Sequence, residues 1–322
     1  MRDLFTLPKV HLHVHLESTV RWDTLRDIGA ANGVRVPDDI GTFGDFAAFF
    51  AQNDLVRACL RRPDDFRRVA YEFCQDEARQ GTRYAEASFT AAAHGERLGD
   101  LDMPLTAVRE GLAAGREAFG TEVRLLLDHS RRRSLDRAWR TLDLAKRHDD
   151  VVAVGLAGDE SFPAGPFAAV FAAAREAGLH IVHHAGEGEG AVSIRQALDD
   201  RTERLGHGIR VLDDPDLVAE VRDRKIPLEV CPSSNVALGF APSLAEHPLP
   251  RLRDAGLLVT VNTDIPALIG TPLAIEYTRV RDTFGYDDTV LAGLARNAVD
   301  ASFAPASTKA RLHEEINTWL TP

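Results

Sequence analysis

Histidines and acidic residues follow short apolar, β-rich runs at several points of this 322-residue sequence. His13 and His15 form an HxH pair at the end of the first such run. Side chains two residues apart on a strand point to the same face, so both imidazoles can reach one metal ion. The simpler alternative is a pair of ordinary packed or solvated strand histidines.

Three further polar clusters favour the metal site over that alternative. His184 and Glu187 lie together in an HHAGE segment, His207 is flanked by two glycines, and Asp264 follows an otherwise apolar run. Taken singly, Glu187 could complement a helix dipole and Asp264 could cap a turn. All of these groups nevertheless fall at the C-terminal ends of predicted strands, which is where barrel enzymes assemble their active sites.

The residue types predict hydrolytic chemistry at one metal ion. Three histidines and one aspartate suit zinc and leave one coordination position for water, whose pKa zinc lowers toward neutrality. The predicted ligands are His13, His15, His184 and Asp264. Asp264 could also accept the proton of the water and His207 could orient that water. Glu187 could protonate the ring nitrogen beside the attacked carbon, which makes an aromatic ring attackable.

The order of apolar runs and amphipathic segments indicates how these residues are positioned. Short β-rich runs alternate with helical patterns, as in parallel βα units. The predicted strands are 10–15, 83–89, 122–128, 151–156, 179–184, 203–207, 226–230 and 257–262. The predicted helices between them are 104–118, 134–148, 166–177, 190–199, 214–223 and 248–255. Eight parallel strands predict an α/β fold of the (β/α)8 TIM-barrel type.

Two regions do not fit the simple alternation of single strands and single helices. Residues 16–82 form a helical insertion after the first strand, including a pattern at 64–80, and residues 272–320 look helical throughout. The insertion leaves the C-terminal end of the strand, so we expect a lid or pocket wall that excludes water during the reaction. We expect residues 1–322 to form a single metal-dependent hydrolase domain.

Composition narrows the class of partner. The formal net charge of −11 argues against nucleic acid or an anionic membrane and favours a small-molecule substrate. The N-terminus has no apolar targeting segment, and no apolar run is long enough to span a membrane. The cysteines lack any CxxC pairing, which predicts no disulfide framework; they are Cys59, Cys74 and Cys231. We therefore expect a cytoplasmic protein of undetermined oligomeric state.

Seven motifs together closely resemble the adenosine deaminase family of the amidohydrolase superfamily, over nearly the whole chain. They are PKVHLHVHLES at 8–18, LAGDE at 156–160, HHAGEGEG at 183–190, RLGHGIRVL at 204–212, EVCPSSNVALG at 229–239, VNTDIP at 261–266 and NAVDASF at 297–303. Each motif alone is weak, whereas HAGE, GHG and NTD in this order are highly specific.

The resemblance implies a role for each matching residue. It implies that one zinc ion is bound by His13, His15, His184 and Asp264. It also implies that Glu187 donates a proton to a purine ring, that His207 polarises the attacking water, and that the Gly158 backbone contacts the ring edge. His15 and Glu17 are expected to contact substrate. Two-metal relatives use a lysine at the end of strand four; none of the four lysines here lies at such a place, which favours a single metal.

The sequence departs from the family pattern at two positions. The family usually has LDG after HVH, where the acid helps to bind the sugar, and this chain has Leu16-Glu17-Ser18, which keeps the charge on a longer side chain. The second aspartate of the family's NTDDP is replaced by Ile265, which is therefore expected at the substrate but cannot hydrogen-bond the five-membered ring of adenine. Losing such a bond can cost orders of magnitude in substrate discrimination. Adenosine itself is therefore an uncertain substrate.

Three consecutive arginines add a second clue to the substrate. Arg131, Arg132 and Arg133 follow the third predicted strand, and guanidinium groups suit a carboxylate or phosphate. They could bind an anionic purine such as aminofutalosine or an N6-substituted AMP, or they could simply be solvated or form surface ion pairs. Adenine base and a pterin are the other amino-heterocycles considered. A non-catalytic zinc-binding protein is disfavoured, because structural zinc needs neither Glu187 nor His207.

Overall fold

Eight parallel strands pair in sequence order and form a nearly closed barrel, which confirms the predicted (β/α)8 fold. The computed structural model describes residues 1–38 and 46–321. The strands are β1 (Lys9–His11), β2 (Thr82–Phe89), β3 (Glu122–Ser130), β4 (Val151–Ala157), β5 (His180–Ala185), β6 (Arg204–His207), β7 (Leu228–Val230) and β8 (Val259–Val261). Each overlaps one of the eight predicted strands.

The first strand is shorter than its sequence pattern predicts. The pattern extends to residue 15, but β1 ends at His11. Beyond it, the backbone N–H groups of Leu12 and His13 both donate to Asn262 Oδ1, at 2.8 and 3.2 Å. A side-chain amide therefore takes the place of a neighbouring strand, and the HxH histidines lie just past the regular ladder.

The barrel is linked between its first and last strands by backbone contacts past both strand ends. Asp264 N donates to His13 O and His15 N donates to Asp264 O, both at 2.9 Å. Val14 and Asp264 thereby form an isolated parallel bridge. The two chain segments that carry predicted metal ligands are consequently held side by side by main-chain hydrogen bonds.

Helices surround the barrel, and several begin where side chains cap their free N–H groups. Ser134 accepts from Arg137 N, Asp214 from Leu217 N, and Asp287 from Val290 N. The helices are α1 (Trp22–Ala31), α2 (Phe46–Cys59), α3 (Pro63–Arg79), α4 (Ala91–Leu98), α5 (Met103–Phe119), α6 (Leu135–Ala145), α7 (Ala168–Glu176), α8 (Ala191–Asp199), α9 (Pro215–Asp223), α10 (Pro232–Ala237), α11 (Leu249–Asp254), α12 (Pro266–Ile269), α13 (Leu273–Phe284), α14 (Asp288–Ala301) and α15 (Ala306–Leu320).

The helices of the insertion and of the C-terminal region agree with the sequence pattern, whereas three short helices elsewhere were not predicted. The insertion contains a 3-10 turn at Leu16–Thr19 and then α1 to α3, and α13 to α15 follow the last strand. Helix α3 packs closely on α5, where a Cβ added at Gly111 would lie 2.3 Å from Arg67 O. Helices α4, α10 and α12 were not predicted, because so few turns show no clear hydrophobic period. Within the described residues, no helix is long and apolar enough to cross a membrane.

Candidate active site

The four predicted metal ligands converge at the C-terminal ends of β1, β5 and β8. They are His13, His15, His184 and Asp264, and their ligand atoms all lie within 4.8 Å of one another. His15 Nε2 lies 3.1 Å from His184 Nε2 and 3.3 Å from Asp264 Oδ1. His13 Nε2 lies 3.6 Å from the same carboxylate oxygen. The structure thus brings together groups from both ends of the chain.

The second ring nitrogen of His13 and of His184 donates to an acceptor, and that of His15 faces a carboxylate. His13 Nδ1 donates to Glu229 Oε2 at 2.9 Å, and His184 Nδ1 donates to Leu156 O at 3.0 Å. His15 Nδ1 lies 3.5 Å from Asp128 Oδ2. Such contacts fix the tautomer of a metal-binding histidine and leave the lone pair of Nε2 free. All three Nε2 atoms are therefore prepared to be ligands.

An unpaired ring nitrogen and the surrounding buried carboxylates both fit a bound cation at this place. Among the described residues, His13 Nε2 is buried without a hydrogen-bond partner. Burial lowers the pKa of His13, but the neighbouring carboxylates of Asp264 and Glu229 outweigh it and raise the pKa to about 10. Two buried carboxylates thus favour positive charge at this point. Burial and the neighbouring histidines hold the pKa of His184 well below its usual range, which keeps a neutral ligand nitrogen.

A second possible ligand group overlaps the first. It joins His13 to His207 and Cys231, whose ligand atoms also lie within 4.8 Å of one another. Burial raises the pKa of the Cys231 thiol well above its usual range, whereas a metal binds the thiolate. The group of three histidines and Asp264 is therefore the better candidate.

Unusual backbone conformations occur at two of the predicted catalytic residues. His207 and Asp264 have φ of 64° and 62°, a region that residues with side chains seldom occupy. Strain of this kind persists where surrounding contacts fix it, and it is frequent at functional sites. Next to His207, a Cβ added at Gly206 would lie 2.8 Å from His13 Cε1. Glycine is needed there because a ligand imidazole passes so close to the backbone.

Glu187 and His207 lie beside the ligand group and share one hydrogen-bond donor. Asn235 Nδ2 lies 2.7 Å from Glu187 Oε1 and 3.2 Å from His207 Nδ1. Burial, together with the charges of Asp264 and Glu160, raises the pKa of Glu187 well above its usual range. Burial also lowers the pKa of His207 to about 3. Burial thus favours the uncharged form of both groups, the protonated carboxyl of Glu187 and the neutral imidazole of His207.

A second acid holds the loop that carries Glu187. The carboxylate of Glu160, just after β4, accepts hydrogen bonds from the backbone N–H groups of residues 186, 187, 188 and 189 at 2.9–3.3 Å. Four converging donors satisfy both oxygens of this carboxylate. The loop after β5 is consequently fixed by a side chain from the neighbouring strand end.

Three predicted ligands, His15, His184 and Asp264, open onto a cavity of about 410 Å³, as do Glu187 and His207. Its wall includes three of the four residues predicted to contact substrate: His15, Glu17 and Gly158. Glu17 Oε1 accepts from Thr90 N and lies 3.2 Å from His94 Nε2. Burial raises the pKa of Glu17, but the hydrogen bonds from His94 and Thr90 outweigh it and lower the pKa to about 2.

Ile265, the fourth of these residues, does not line the described part of the cavity. Its side chain is fully buried in an apolar cluster with Leu238 and Leu268, and of these three only Leu238 reaches the cavity wall. An isoleucine gains more from packing behind Leu238 than from facing polar surroundings. A hydrogen-bonding group is therefore replaced by apolar packing at this position.

The three arginines after β3 separate into two kinds. Arg131 is buried and donates to His184 O at 2.8 Å and to Phe162 O at 3.2 Å, so it supports the backbone beside a metal ligand. Arg132 and Arg133 line the cavity. Arg132 lies over the Phe162 ring, and within residues 1–38 and 46–321 neither guanidinium has an ion-pair partner. Only these two are placed to meet a substrate.

Sequence reasoning missed several residues that support the site. Glu160, Glu229 and Asn235 lie inside the LAGDE and EVCPSSN motifs, but the motifs alone suggested no role for them. Ser234, in the same second motif, donates to Asp264 Oδ2 at 2.6 Å. Their signal was a position at, or a few residues past, the C-terminal end of a predicted strand, as for the metal ligands. Their partners lie far along the sequence, so only the fold could pair them.

Comparison with known proteins agrees with this architecture. The family profile described as "Adenosine deaminase" matches residues 8–319. The aminodeoxyfutalosine deaminase of Streptomyces coelicolor is 39% identical over 326 residues, which cover 97% of this chain and 84% of that protein. The adenine deaminase structure from Arthrobacter aurescens matches with a TM-score of 0.93 at 32% identity, covering 97% of this chain and 99% of that chain. An amidohydrolase from Burkholderia ambifaria with bound zinc gives a TM-score of 0.89 at 28% identity, covering 98% of this chain and 92% of that chain. The chain therefore belongs to the adenosine deaminase family, the hydrolytic deaminases of the amidohydrolase superfamily.

Proposed function

We propose that this chain is a single-zinc aminohydrolase that replaces the amino group of an adenine-type purine derivative with oxygen from water, releasing ammonia. The observation that carries the proposal is the convergence of three Nε2 atoms and the Asp264 carboxylate beside Glu187, a carboxyl group whose pKa burial raises. His13, His15, His184 and Asp264 would hold the zinc. When bound, the ion would lower the pKa of water and so supply a nucleophile near neutral pH.

The protein groups around the metal site divide the proton transfers between them. Glu187 holds a proton because its pKa is raised, and it can donate that proton to the ring nitrogen beside the amino-bearing carbon. Asp264, whose pKa the neighbouring His13 and His15 keep low despite burial, can accept a proton from the attacking water. The uncharged His207 can orient the water. Two carboxyl groups with opposite pKa shifts are typical of paired acid and base roles.

The cavity wall supports roles for the predicted substrate-binding residues. We assign His15 and Glu17 to contacts with the substrate beyond the reacting carbon, and the Gly158 backbone to the edge of the ring. Gly158 has φ of 89°, so its peptide can take an orientation that other residues adopt rarely. We also propose that residues 1–322 act as one domain in which 16–82 serves as a lid, since Asn53, Asp54 and Arg57 of α2 line the cavity.

The test is ammonia release by the purified, zinc-loaded protein with adenine, adenosine and AMP. We expect turnover of at least one substrate and about one zinc per chain by elemental analysis. The test variant is His184→Ala, which removes one ligand nitrogen. Its matched control is His183→Ala. His183 is a buried histidine of the same strand that accepts from Leu156 N instead of facing the metal. Equal zinc content and activity in wild type and His184→Ala would contradict the proposal.

An anionic purine is the second candidate substrate, and the arginines favour it. Arg132 and Arg133 face the cavity without an acid partner, and both ring nitrogens of buried His129 lack hydrogen-bond partners among the described residues. The aminodeoxyfutalosine deaminase relative shows that the family reaches beyond adenine itself. A carboxylate or phosphate on the substrate would satisfy these donors.

Comparing charged and uncharged substrates tests this second candidate. We expect Arg132→Gln/Arg133→Gln to raise KM for an anionic purine by about 10-fold or more, because hydrogen bonds to charged groups contribute about 1.5–3 kcal/mol each. KM for adenosine should stay unchanged. Arg222→Gln/Arg224→Gln changes two arginines on or next to α9 that pair with acids of that segment, and serves as the control. A KM change of the same size for both substrates would rule out anion recognition by this pair.

A further inference from the structure

A hydrogen-bond relay runs from the backbone of α11 to the two predicted proton-handling residues. Leu249 N lies 3.1 Å from His247 Nδ1, and His247 Nε2 lies 3.2 Å from Asn235 Oδ1. Asn235 Nδ2 then reaches Glu187 Oε1 and His207 Nδ1. His247 and Asn235 are both buried, so water does not compete for these contacts.

The direction of the relay follows from its first member. A backbone N–H can only donate, so His247 Nδ1 must accept from Leu249, and Nε2 must carry the proton of the neutral ring. Burial lowers the pKa of His247 to about 4, which agrees with a neutral ring. His247 Nε2 therefore donates to Asn235 Oδ1. This contact settles which end of the Asn235 amide is oxygen, an assignment that side-chain shape alone does not provide.

The orientation of Asn235 then dictates the proton positions on its other two partners. An amide NH₂ group only donates, so Glu187 Oε1 and His207 Nδ1 must both be acceptors. A protonated Glu187 consequently carries its proton on Oε2, and a neutral His207 carries its proton on Nε2. The main chain also fixes Asn235 itself: its N–H donates to Cys231 O at 2.9 Å and its carbonyl accepts from Phe240 N at 2.8 Å.

We propose that Asn235 and His247 are positioning residues of the deamination: the Leu249–His247–Asn235 relay selects Oε2 of Glu187 and Nε2 of His207 as the proton-bearing atoms. The proposal rests on the proposed function for the role of Glu187, whereas the relay itself can be observed without turnover. Neither residue lies on the described cavity wall, so both act through Glu187 and His207.

Two substitutions at His247 separate positioning from packing. In His247→Gln the side-chain amide nitrogen occupies the place of Nε2 and can still donate to Asn235. In His247→Asn the side-chain oxygen can take the place of Nδ1 and accept from Leu249 N, but no donor reaches Asn235. We expect His247→Gln to keep kcat within about 3-fold of wild type and His247→Asn to lower kcat by about 10-fold or more, the loss expected of a broken polar contact. KM and zinc content should not change in either variant.

At Asn235 the isosteric change to aspartate provides the second test. Asn235→Asp preserves shape but replaces a donor with an acceptor opposite Glu187 Oε1, and we expect kcat to fall by about 100-fold, within the range of general acid catalysis. Combined with Glu187→Gln, it should cause little further loss, because both changes disable the same proton. Asn297→Ala is the control, since that amide donates to Val259 O, away from Glu187 and His207. Additive losses in the double variant would contradict the proposal.

A spectroscopic measurement distinguishes failure of the relay from failure of the proposed function. In zinc-loaded protein labelled with ¹⁵N-histidine, we expect His247 and His207 both as the Nε2–H tautomer, with His207 signals shifting in Asn235→Asp. Resonances are assigned by their loss in His247→Gln and His207→Gln. An Nδ1–H tautomer for either ring in the wild-type protein would overturn the relay, whatever the substrate proves to be.

Discussion

At the scale of single residues, two carboxyl groups in one cavity are prepared for opposite roles. Burial raises the pKa of both Glu187 and Asp264. The imidazoles of His13 and His15 lie against Asp264, outweigh the effect of burial and hold its pKa well below the usual range. Glu187 instead faces the charges of Asp264 and Glu160, which add to the effect of burial. Environment, not residue type, thus separates the acid from the base.

Replacing the acid should abolish proton donation and leave the metal in place. We expect Glu187→Gln to lower kcat by about 10²- to 10⁴-fold, the contribution of a positioned general acid, with zinc content unchanged. Steady-state kinetics and elemental analysis of the same preparation check both expectations. Full activity in this variant would show that the ring is protonated by another group.

The raised pKa of Glu187 also predicts the shape of the pH profile. The acid works only while protonated, and a raised pKa keeps the proton bound to higher pH, so kcat should fall as pH rises through that pKa. Glu160→Gln removes one of the charges that raise the pKa and should move this alkaline limb to lower pH. Profiles of kcat against pH for both proteins make the comparison. If the alkaline limb does not move in Glu160→Gln, the group that titrates there is not Glu187.

At the scale of elements, the site is assembled from strand ends and from the side chains that fix the following loops. Glu160 after β4 binds the N–H groups of residues 186–189 after β5. Glu229 in β7 orients His13, and Ser234 in α10 holds Asp264. Each of these strand ends is therefore held by a side chain from another element. The position of a metal ligand thus depends on elements that carry no metal ligand.

Removing the Glu160 carboxylate, which holds the loop that carries Glu187, should affect both stability and turnover. We expect Glu160→Ala to lower the free energy of unfolding by about 1.5–3 kcal/mol, since it deletes hydrogen bonds to a charged group, and to lower kcat by at least about 10-fold. Urea denaturation and kinetics measure the two effects. Asp159→Ala is the control, because the side chain of that neighbouring acid accepts, among the described residues, only from Ser161. Equal losses of stability and kcat in the two variants would contradict this role of Glu160.

At the scale of the whole molecule, a buried arginine connects distant parts of the chain. Arg204 in β6 pairs with Glu86 of β2 at 2.7 Å and with Glu229 of β7 at 2.5 Å. It also donates to Ala301 O and lies 4.0 Å from the centre of the Phe303 ring. Through Glu229 this network reaches His13, so the barrel interior and the metal site share one set of buried charges.

Breaking this network should destabilise the entire barrel. We expect Arg204→Met to lower the free energy of unfolding by about 3–5 kcal/mol, because two buried carboxylates lose their counter-charge. Arg222→Met, at an exposed arginine of α9, should change it by less than about 0.5 kcal/mol. Chemical denaturation of both variants gives the comparison. A stability loss below 1 kcal/mol in Arg204→Met would be evidence that Glu86 and Glu229 are neutral in the folded protein.

Sequence reasoning reached the strand order and the ligand set because both are encoded locally. Alternating apolar runs and helical periods mark βα units, and the C-terminal ends of parallel strands share one edge. The HxH, HAGE and NTD segments could therefore be assigned to one site before any coordinates were considered. The actual end of β1 could not be predicted, because it depends on the side chain of Asn262, some 250 positions away.

The sequence by itself determined which residue types stand at the strand ends, and hence the class of chemistry that they can perform. Only the tertiary structure decided how those residues are prepared: which acceptor holds each ligand histidine, which end of Asn235 faces Glu187, and which arginines reach the cavity. Arg131, Arg132 and Arg133 are identical in type and adjacent in the chain, yet one is buried against His184 O and two face the cavity. Hydrogen bonding and burial depend on distances through space, which local sequence does not contain.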